Sequence, residues 1–425
     1  MLDHKEILDL RSKYLGPSLS VSYDEPLHIV RSEGQYLFDA KGNRYLDCVN
    51  NIQHVGHCHP KVVEAAQQQY KKLNTNIRYL DESIVNYAKD ITSTLPDGLE
   101  VCFFANFGSE VNDLALCLVR QFTGNKATIV LDGAYHGNLF SLIEISPYKH
   151  NGLGDNGAAD FDYTLPTPDS FHGKYLGEDC GEKHAQEVQA AINEIQKKGN
   201  KVSTFIAEAL MGCGGQLTLQ KGFLKKAFDL VWAAGGVCIA DEIQIGFGRV
   251  GSHFWGFETD GVVPDIVTMG KSMGNGHPLS AVVTTREITD SFNNGMEYFN
   301  SFGGNPVSCA VGQAVLDVIK EEGLQENALE VGSYLLNQLK NLQNQHDLIG
   351  EVRGRGLFIG IELAKDELVP AAAEAQTTVK HMKDKGLLLS TDGPDHNVIK
   401  IKSPLVFNKK NADKLVKKLD ETMSE

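Results

Sequence analysis

The chain has 425 residues, of which 42% are hydrophobic and 22% are charged, and it carries a formal net charge of −15 at pH 7. This length exceeds what one simple core accommodates, so we expect more than one domain. The acidic excess argues against nucleic acid or an anionic membrane as a partner. No apolar run approaches the roughly 18 residues of a membrane span.

Eight cysteines are spread along the chain without a Cys-x-x-Cys pair, and some lie in apolar patterns, as Cys102 and Cys238 do. This distribution is typical of buried free thiols in a reducing compartment rather than of disulfides. The N-terminal residues form a charged amphipathic pattern without the apolar core of a secretion signal. We therefore predict a cytoplasmic protein.

The first fifty residues predict a short helix and then a strand, a turn and a second strand. From about residue 60 to 310, helical patterns alternate with short apolar runs. The predicted strands are 101–105, 127–131, 203–207, 237–240, 266–269 and 281–285, and the predicted helices include 109–122 and 222–234. Such alternation predicts an α/β fold with a mostly parallel sheet covered by helices.

The stretch 150–182 is rich in Gly, Asp, Pro and His, which predicts a surface excursion with Cys180 and His184 exposed nearby. From residue 306 a long helical run begins, followed by strands at 357–363 and near 398–402 and a basic terminal helix. We predict a large domain at 59–305. The N-terminal segment 1–58 and residues 306–425 should together form a smaller α+β domain.

Two polar residues follow neighbouring strands of the predicted sheet. Asp241 ends the apolar run from Val237, and Lys271 lies in a glycine-flanked loop after the strand 266–269. Ligands bind where loops leave the carboxyl ends of such strands. A lysine that forms an imine and a carboxylate that keeps a pyridine nitrogen protonated are what pyridoxal phosphate chemistry requires. We therefore predict that Lys271 and Asp241 are catalytic.

A phosphate site is predicted where the strand 101–105 meets the next helix. Gly108 lets the backbone approach a ligand, and Ser109 is expected to be the helix N-cap, so that free N–H groups face an anion. The donor-rich loop at Ser301 also suits a phosphate. Tyr135, in Ala134-Tyr-His-Gly, follows another strand and could stack on a flat ring.

A metal site is not predicted, although His54, His57, Cys58 and His59 crowd one loop. These residues lack a partner group at metal-ligand spacing. A turn near the cofactor is the better interpretation.

Taken together, these motifs resemble the class III aminotransferases, a family of fold-type I pyridoxal phosphate enzymes. Within it, the chain is most similar to the ethanolamine-phosphate and 5-phosphohydroxylysine phospho-lyases. The resembling segments include His54-Val-Gly-His-Cys-His-Pro, Gly108-Ser-Glu-Val-Asn-Asp-Leu-Ala-Leu, Gly274-Asn-Gly-His-Pro and Asp392-Gly-Pro. The resemblance implies a large domain with a seven-stranded, mostly parallel sheet.

The resemblance also implies roles for individual residues. Lys271 would bind the cofactor aldehyde, and Asp241 would pair with the pyridinium. Ile243 would back the ring opposite Tyr135, and Gln244 would meet the ring hydroxyl. The remaining cofactor-binding residues by resemblance are Gly108, Ser109, His136, Glu208 and Ser301. Ser301 would reach the phosphate from the neighbouring subunit, so a homodimer with shared active sites follows, and pairing into a tetramer is left open.

Four positions depart from the family pattern. Phe107 stands where the family mostly has Ser, and His172 where the phospho-lyases often have Arg. Lys400 replaces an arginine that clamps an α-carboxylate, and Cys213 replaces the acidic residue that gates that arginine. A lysine is a point charge rather than a bidentate fork, so the site is not expected to be built around an α-amino acid.

Three functions remain open from the sequence. We favour a phospho-lyase that eliminates phosphate and ammonia from a small-molecule phosphorylated amine. The alternative is an aminotransferase that moves the amino group to a 2-oxo acid such as pyruvate. A more remote alternative is a non-catalytic binding protein with the same fold. A lyase needs a second anion site for the departing phosphate. The candidates are Arg78, Lys400 and Lys402.

Overall fold

A computed structural model describes residues 2–152, 154, 157–177 and 180–425. The α-helices are α1 (His4–Tyr14), α2 (Pro60–Lys72), α3 (Glu82–Thr92), α4 (Gly108–Thr123), α5 (Phe140–Ile143), α6 (Pro147–His150), α7 (Cys180–Lys197), α8 (Phe223–Ala233), α9 (Arg286–Phe292), α10 (Pro306–Glu321), α11 (Leu324–Gln343), α12 (Ala372–Asp384) and α13 (Lys409–Met423). Within the described residues, no helix combines the length and the apolar composition needed to cross a bilayer.

The strands are β1 (Ile29–Glu33), β2 (Tyr36–Asp39), β3 (Arg44–Asp47), β4 (Val101–Ala105), β5 (Ala127–Leu131), β6 (Asp162–Leu165), β7 (Val202–Ala207), β8 (Leu210–Met211), β9 (Leu217–Thr218), β10 (Val237–Asp241), β11 (Ile266–Met269), β12 (Ser280–Thr284), β13 (Ile349–Arg355), β14 (Phe358–Leu363), β15 (Leu387–Leu388), β16 (Ser390–Asp392) and β17 (Val398–Ile401). Short 3-10 helices cover Gly256–Asp260, Lys271–Gly274 and Asp366–Leu368.

The central sheet has seven strands in the order β4-β12-β11-β10-β7-β5-β6. β12 runs antiparallel to both of its neighbours, and the remaining pairs are parallel. Strands β5, β7, β10, β11 and β12 are buried along their whole length. Continuous apolar runs of this kind are what a sheet covered on both faces needs. The predicted α/β class and the mostly parallel sheet are confirmed.

Helix α4 shows how the sequence pattern produces this packing. Its residues Val111, Leu114, Ala115, Leu118 and Val119 recur at helical spacing, and all of them are buried. The helix ends where Gly124 adopts a left-handed conformation with φ of 67°, which glycine accepts without a steric cost. Packing of this apolar face against the sheet therefore fixes the position of the N-terminus of α4.

The two chain ends come together in smaller sheets. β15 lies parallel to β3, with Leu387 opposite Leu46, in the sheet β1-β2-β3-β15. A further sheet has the order β13-β14-β17-β16, and α10 packs against α2 and α3. The domain boundaries at residues 58 and 305 stay predictions.

The predicted excursion at 150–182 is wrong in two respects. It contains β6, which pairs with β5 as the edge strand of the central sheet, and α7 begins at Cys180. Cys180 and His184 are buried rather than exposed, because they lie on the inner face of α7. Residues 153, 155, 156, 178 and 179 of the excursion lie outside the described residues.

Arg249 joins three parts of the chain in the interior. Its guanidinium is fully buried and donates to the carbonyl oxygens of Leu357 (3.0 Å) and Ser403 (2.9 Å). It also donates to Nδ1 of His54 (3.0 Å), whose Nε2 donates to the carbonyl oxygen of Phe247 (2.7 Å). Burial and the nearby guanidinium hold the pKa of His54 well below its usual range, so the ring is neutral and can accept this bond.

The substitution Arg249→Met should lower the free energy of unfolding by about 2–4 kcal/mol, because buried carbonyl oxygens lose their donor. Urea unfolding followed by fluorescence measures the change. Arg286→Met is the matched control, since the Arg286 side chain is 64% exposed. An equal loss of unfolding free energy in both variants would contradict the stabilising role of the buried Arg249 contacts.

Candidate active site

Two parallel strands bring the predicted catalytic residues to one edge of the sheet. β10 and β11 pair in register, with Asp241 beside Thr268. Lys271 follows the end of β11 by two residues and begins a 3-10 turn that runs to Gly274. Both functional groups therefore lie at the carboxyl ends of adjacent strands, where α/β sheets bind ligands.

The carboxylate of Asp241 is buried and held by two side chains. Its Oδ2 accepts hydrogen bonds from Nδ2 of Asn112 (2.8 Å) and from Nδ1 of His136 (2.9 Å). The Asn112 amide also donates to the backbone oxygen of His136 (2.6 Å). These donors offset the cost of burying an ionised carboxyl group. Asn112 was missed in the sequence, although a polar residue on the apolar face of α4 is a signal for such a role.

Lys271 has an unusual backbone and an enclosed amine. Its φ of 37° lies in the left-handed region, which is costly for a residue with a side chain and is typical of functional sites. Burial lowers the pKa of Lys271, while the nearby carboxyl groups of Glu208 and Asp241 act in the opposite direction. A lowered pKa leaves more of the amine neutral and nucleophilic near pH 7.

The N-terminus of α4 differs from the prediction by one residue. The helix begins at Gly108, so Phe107 is the N-cap, and it has no side-chain capping bond. Ser109 lies inside the first turn, and its Oγ accepts the backbone N–H of Asn138 (2.9 Å). The predicted N-cap at Ser109 is therefore wrong. A Cβ on Gly108 would lie 2.8 Å from Ile243 Cδ1, so the Ile243 side chain packs directly against the backbone at Gly108.

These elements enclose a cavity of about 360 Å³. Its walls include all but one of the residues predicted to bind the cofactor, namely Gly108, Ser109, Tyr135, His136, Glu208, Asp241, Ile243, Gln244 and Lys271. Ser301 lies elsewhere, exposed in the segment before α10. The structure brings the predicted groups together, and their individual roles stay predictions.

The candidate anion-binding residues do not form one group. Arg78 lies on the surface, where it pairs with Glu297 (3.0 Å) and stacks over the Phe299 ring. Lys400 pairs with the buried carboxylate of Asp392 (3.2 Å). Lys402 is buried and donates to Gln244 (3.2 Å). None of these three residues is among those that line the cavity.

A polar network lies beside Lys271. Oε2 of Glu208 accepts the N–H of Gly212 (3.1 Å), and Oε1 accepts Nε2 of Gln244 (3.3 Å). Burial, followed by the nearby charge of Asp241, raises the pKa of Glu208 to about 7. Burial also raises the pKa of the Cys213 thiol to about 12, which keeps this thiol protonated at neutral pH.

The residues present fit pyridoxal phosphate. The cavity offers a buried carboxylate for a pyridinium nitrogen, an enclosed amine for an aldehyde, and the N-terminus of α4 for a phosphate. Nε2 of His136 is buried and has no hydrogen-bond partner among the described residues. A buried polar atom without a partner in the cavity wall is expected where a polar ligand binds.

The remaining polar residues singled out in the sequence have other partners. His57 pairs with Asp47 (2.7 Å), and His59 pairs with Glu322 (3.1 Å). His172 contacts Glu362 (2.6 Å), which also accepts Arg353. No group of metal-binding side chains occurs in the part of the chain that the structure describes.

Known proteins resemble this chain along nearly its whole length. A family model described as "Aminotransferase class-III" matches residues 19–423. A Drosophila melanogaster protein named "Alanine--glyoxylate aminotransferase 2-like" is 49% identical over 425 residues, covering 98% of this chain and 86% of that protein. A Caenorhabditis elegans protein named "Ethanolamine-phosphate phospho-lyase homolog 1" is 42% identical, covering 99% and 93%. A solved phospholyase from Arthrobacter, in complex with phosphoethanolamine, superposes with a TM-score of 0.94 at 40% identity and covers 99% of both chains.

Glu208→Gln should stabilise the cofactor-free protein more at pH 8 than at pH 5. The raised pKa of Glu208 means that the folded state holds this proton up to about pH 7, whereas the unfolded chain releases it near 4.5. Stability therefore falls as pH rises through this window, and the neutral amide escapes the loss. The gain should increase by about 1–3 kcal/mol between the two pH values in urea unfolding.

The exposed Glu64→Gln is the control, with no pH-dependent gain expected. The same gain from Glu208→Gln at both pH values would contradict the raised pKa.

Proposed function

Since the chain belongs to the class III aminotransferases, we propose that it is a phospho-lyase that releases phosphate and ammonia from a small phosphorylated primary amine. The chain has the fold-type I architecture of this family, and its cofactor is pyridoxal 5'-phosphate. The observation that carries the proposal is that Lys271 and Asp241 line the same cavity. It is supported by similarity along 99% of this chain to a phospholyase that was solved in complex with phosphoethanolamine.

When bound, pyridoxal phosphate captures a primary amine through its aldehyde and accepts electrons from the adjacent carbon. The amine of Lys271 would hold the cofactor through its aldehyde and would be released when a substrate amine takes its place. Lys271 then takes the proton from the carbon next to the substrate nitrogen, as a general base. Asp241 keeps the ring nitrogen protonated, because its buried carboxylate is oriented by Asn112 and His136.

The outcome depends on the neighbouring carbon of the substrate. If that carbon carries phosphate, the electron pair freed by proton removal would form a carbon–carbon double bond, and the C–O bond would break with its own pair leaving on the phosphate oxygen. Phosphoethanolamine and water then give acetaldehyde, ammonia and inorganic phosphate. Without a leaving group, the proton returns and the amino group moves to a 2-oxo acid, which is the aminotransferase alternative. The relative from Drosophila, by its name, favours that alternative.

Charge near the amine supports the lyase. Burial lowers the pKa of Lys271, and the nearby ammonium of Lys400 lowers it further. Lys400 is 26% exposed and lies outside the cavity lining, so its charge acts on the site from a distance. A cation close to the reacting amine favours an anionic substrate and stabilises charge on a departing phosphate. The Lys400 ammonium, which pairs with Asp392, can make a single contact with an anion but cannot bind both oxygens of an α-carboxylate as an arginine does.

Incubation of the holoenzyme with phosphoethanolamine and pyruvate should release inorganic phosphate and ammonia in equal amounts, without alanine. The assay measures phosphate and alanine in the same sample. Alanine without phosphate would select the aminotransferase and refute the lyase.

Lys271→Ala should reduce turnover by at least about 10⁴-fold, because the substitution removes both the covalent anchor and the base. Lys201→Ala is the control, since Lys201 is exposed and lies outside the cavity lining. Retained multiple turnover by Lys271→Ala would refute its role. A wild-type protein without a visible cofactor band after incubation with pyridoxal phosphate would support the non-catalytic alternative.

A cytoplasmic homodimer with shared active sites is part of the proposal. All eight cysteines, each within the described part of the chain, are free, as is usual in reducing compartments. Asn106 in the cavity wall bonds Asn300 (3.2 Å), and the segment around Asn300 exposes Met296 and Phe302, each at 69%. Apolar surface beside a cavity marks an interface, and Ser301 lies in the same segment.

The mass in solution should be twice 46.5 kDa. Phe302→Asp should produce monomers with weakened cofactor binding, because it places a charge in the interface. The matched control is Phe140→Asp, at a residue that is 73% exposed. Light scattering after gel filtration measures the mass, and a monomeric wild-type protein that still binds cofactor would contradict shared sites.

A further inference from the structure

Lys402 is a buried cation just behind the cavity wall. Only 2% of it is exposed, and its ammonium lies 4.5 Å from the centroid of the Phe358 ring. Its Nζ lies 3.2 Å from Oε1 of Gln244, which does line the cavity. Burying an ammonium costs free energy unless hydrogen bonds and nearby charges offset it. A buried lysine aimed at a cavity-lining amide is therefore a costly arrangement.

The contact defines which way the Gln244 amide faces. An ammonium group only donates, so its partner on Gln244 must be the oxygen. Asn51 donates to the same oxygen from Nδ2 (3.2 Å), and together the two donors occupy its lone pairs. The amide nitrogen must face the opposite way. One of its N–H groups donates to Glu208 (3.3 Å), and the second is left for a ligand.

The backbone prevents the amide from moving aside. A Cβ on Gly212 would lie 2.2 Å from Nε2 of Gln244, so the chain at Gly212 packs directly against the amide. Gly212 also donates to the other oxygen of Glu208, which holds that carboxylate in place. Gln244 is thus enclosed on the side of Gly212, and the donors on its oxygen decide its orientation.

From these contacts we infer that Lys402 is a positioning residue, which acts on the cofactor through Gln244. It turns the amide so that an N–H, rather than a carbonyl oxygen, meets the ring hydroxyl. A donor at that oxygen stabilises its anionic form, and the proton shared between ring and amine is then lost at a lower pH. The inference rests on the placement of the ring beside Gln244 in the proposed function, and it is independent of whether phosphate leaves.

The surroundings of Lys402 allow this role to be separated from a simple charge effect. Burial lowers the pKa of Lys402 to about 8. The charged or titratable groups around it are Asp392, Lys400, Glu208 and Cys213. Lys400 is the natural comparison, because its charge is nearby but its ammonium bonds Asp392 rather than Gln244.

The test is a pH titration of the visible absorbance of the holoenzyme. Lys402→Met should raise the pH midpoint of the cofactor band by about one unit, since the freed amide can turn its oxygen toward the ring. Lys400→Met should shift the midpoint by less than half as much. A midpoint unchanged by Lys402→Met, or moved equally by Lys400→Met, would overturn the inference.

A double-mutant cycle tests the route through Gln244. In a Gln244→Leu background, Lys402→Met should have little further effect, because no amide remains to be oriented. Equal shifts in both backgrounds would show that Lys402 acts by charge alone and would overturn the positioning role.

If Lys402→Met fails to fold or to bind cofactor, Asn51→Ala provides a second test, since it removes the other donor to the same oxygen. It should raise the midpoint by a smaller amount, and no shift would overturn the inference. An aminotransferase product pattern with the predicted shifts would refute the lyase alone.

Discussion

The site depends on a charged carboxylate in the interior, that of Asp241 at the end of β10. Such a group is tolerated only where donors and positive charge surround it. Asn112 and His136 supply the donors, and in the proposed function the pyridinium of the cofactor would supply the charge. This requirement ties α4, the loop after β5 and the central strand to one point. The same elements place the N-terminus of α4 and the Tyr135 side chain at the cavity. The residues proposed to bind the cofactor and the residue proposed to tune its reactivity therefore depend on the same helix, loop and strand.

The chain ends take part in the site through Ile52, which lines the cavity, and through polar contacts behind the cavity wall. Asn51 and Lys402 lie far apart in sequence, yet both donate to Gln244. Arg249 links the same two regions through His54 and Ser403. Movement of either chain end would therefore displace the Gln244 side chain.

The sequence allowed most of the fold and the chemical centre to be predicted, because both follow from local patterns. Fully buried strands are continuous apolar runs, and the residues that end them, Asp241 and Lys271, stand out. What failed depended on packing across long distances. Burial of Cys180 and His184 requires knowing that α7 covers the sheet. Helix α4 begins at Gly108, earlier than the N-cap preference of Ser109 predicts, because Phe107 is extended and takes the N-cap position. The preference of serine for N-caps does not reveal the conformation of Phe107. The roles expected of Ser301 and Arg78 stay predictions, because neither residue lines the cavity.

The most direct test is to reduce the cofactor-loaded protein with borohydride and locate the modified residue by peptide mass spectrometry. The pyridoxyl group should be found on Nζ of Lys271 in nearly all molecules. Its attachment to Lys400, Lys402 or a surface lysine, or its absence after reduction, would contradict the central claim.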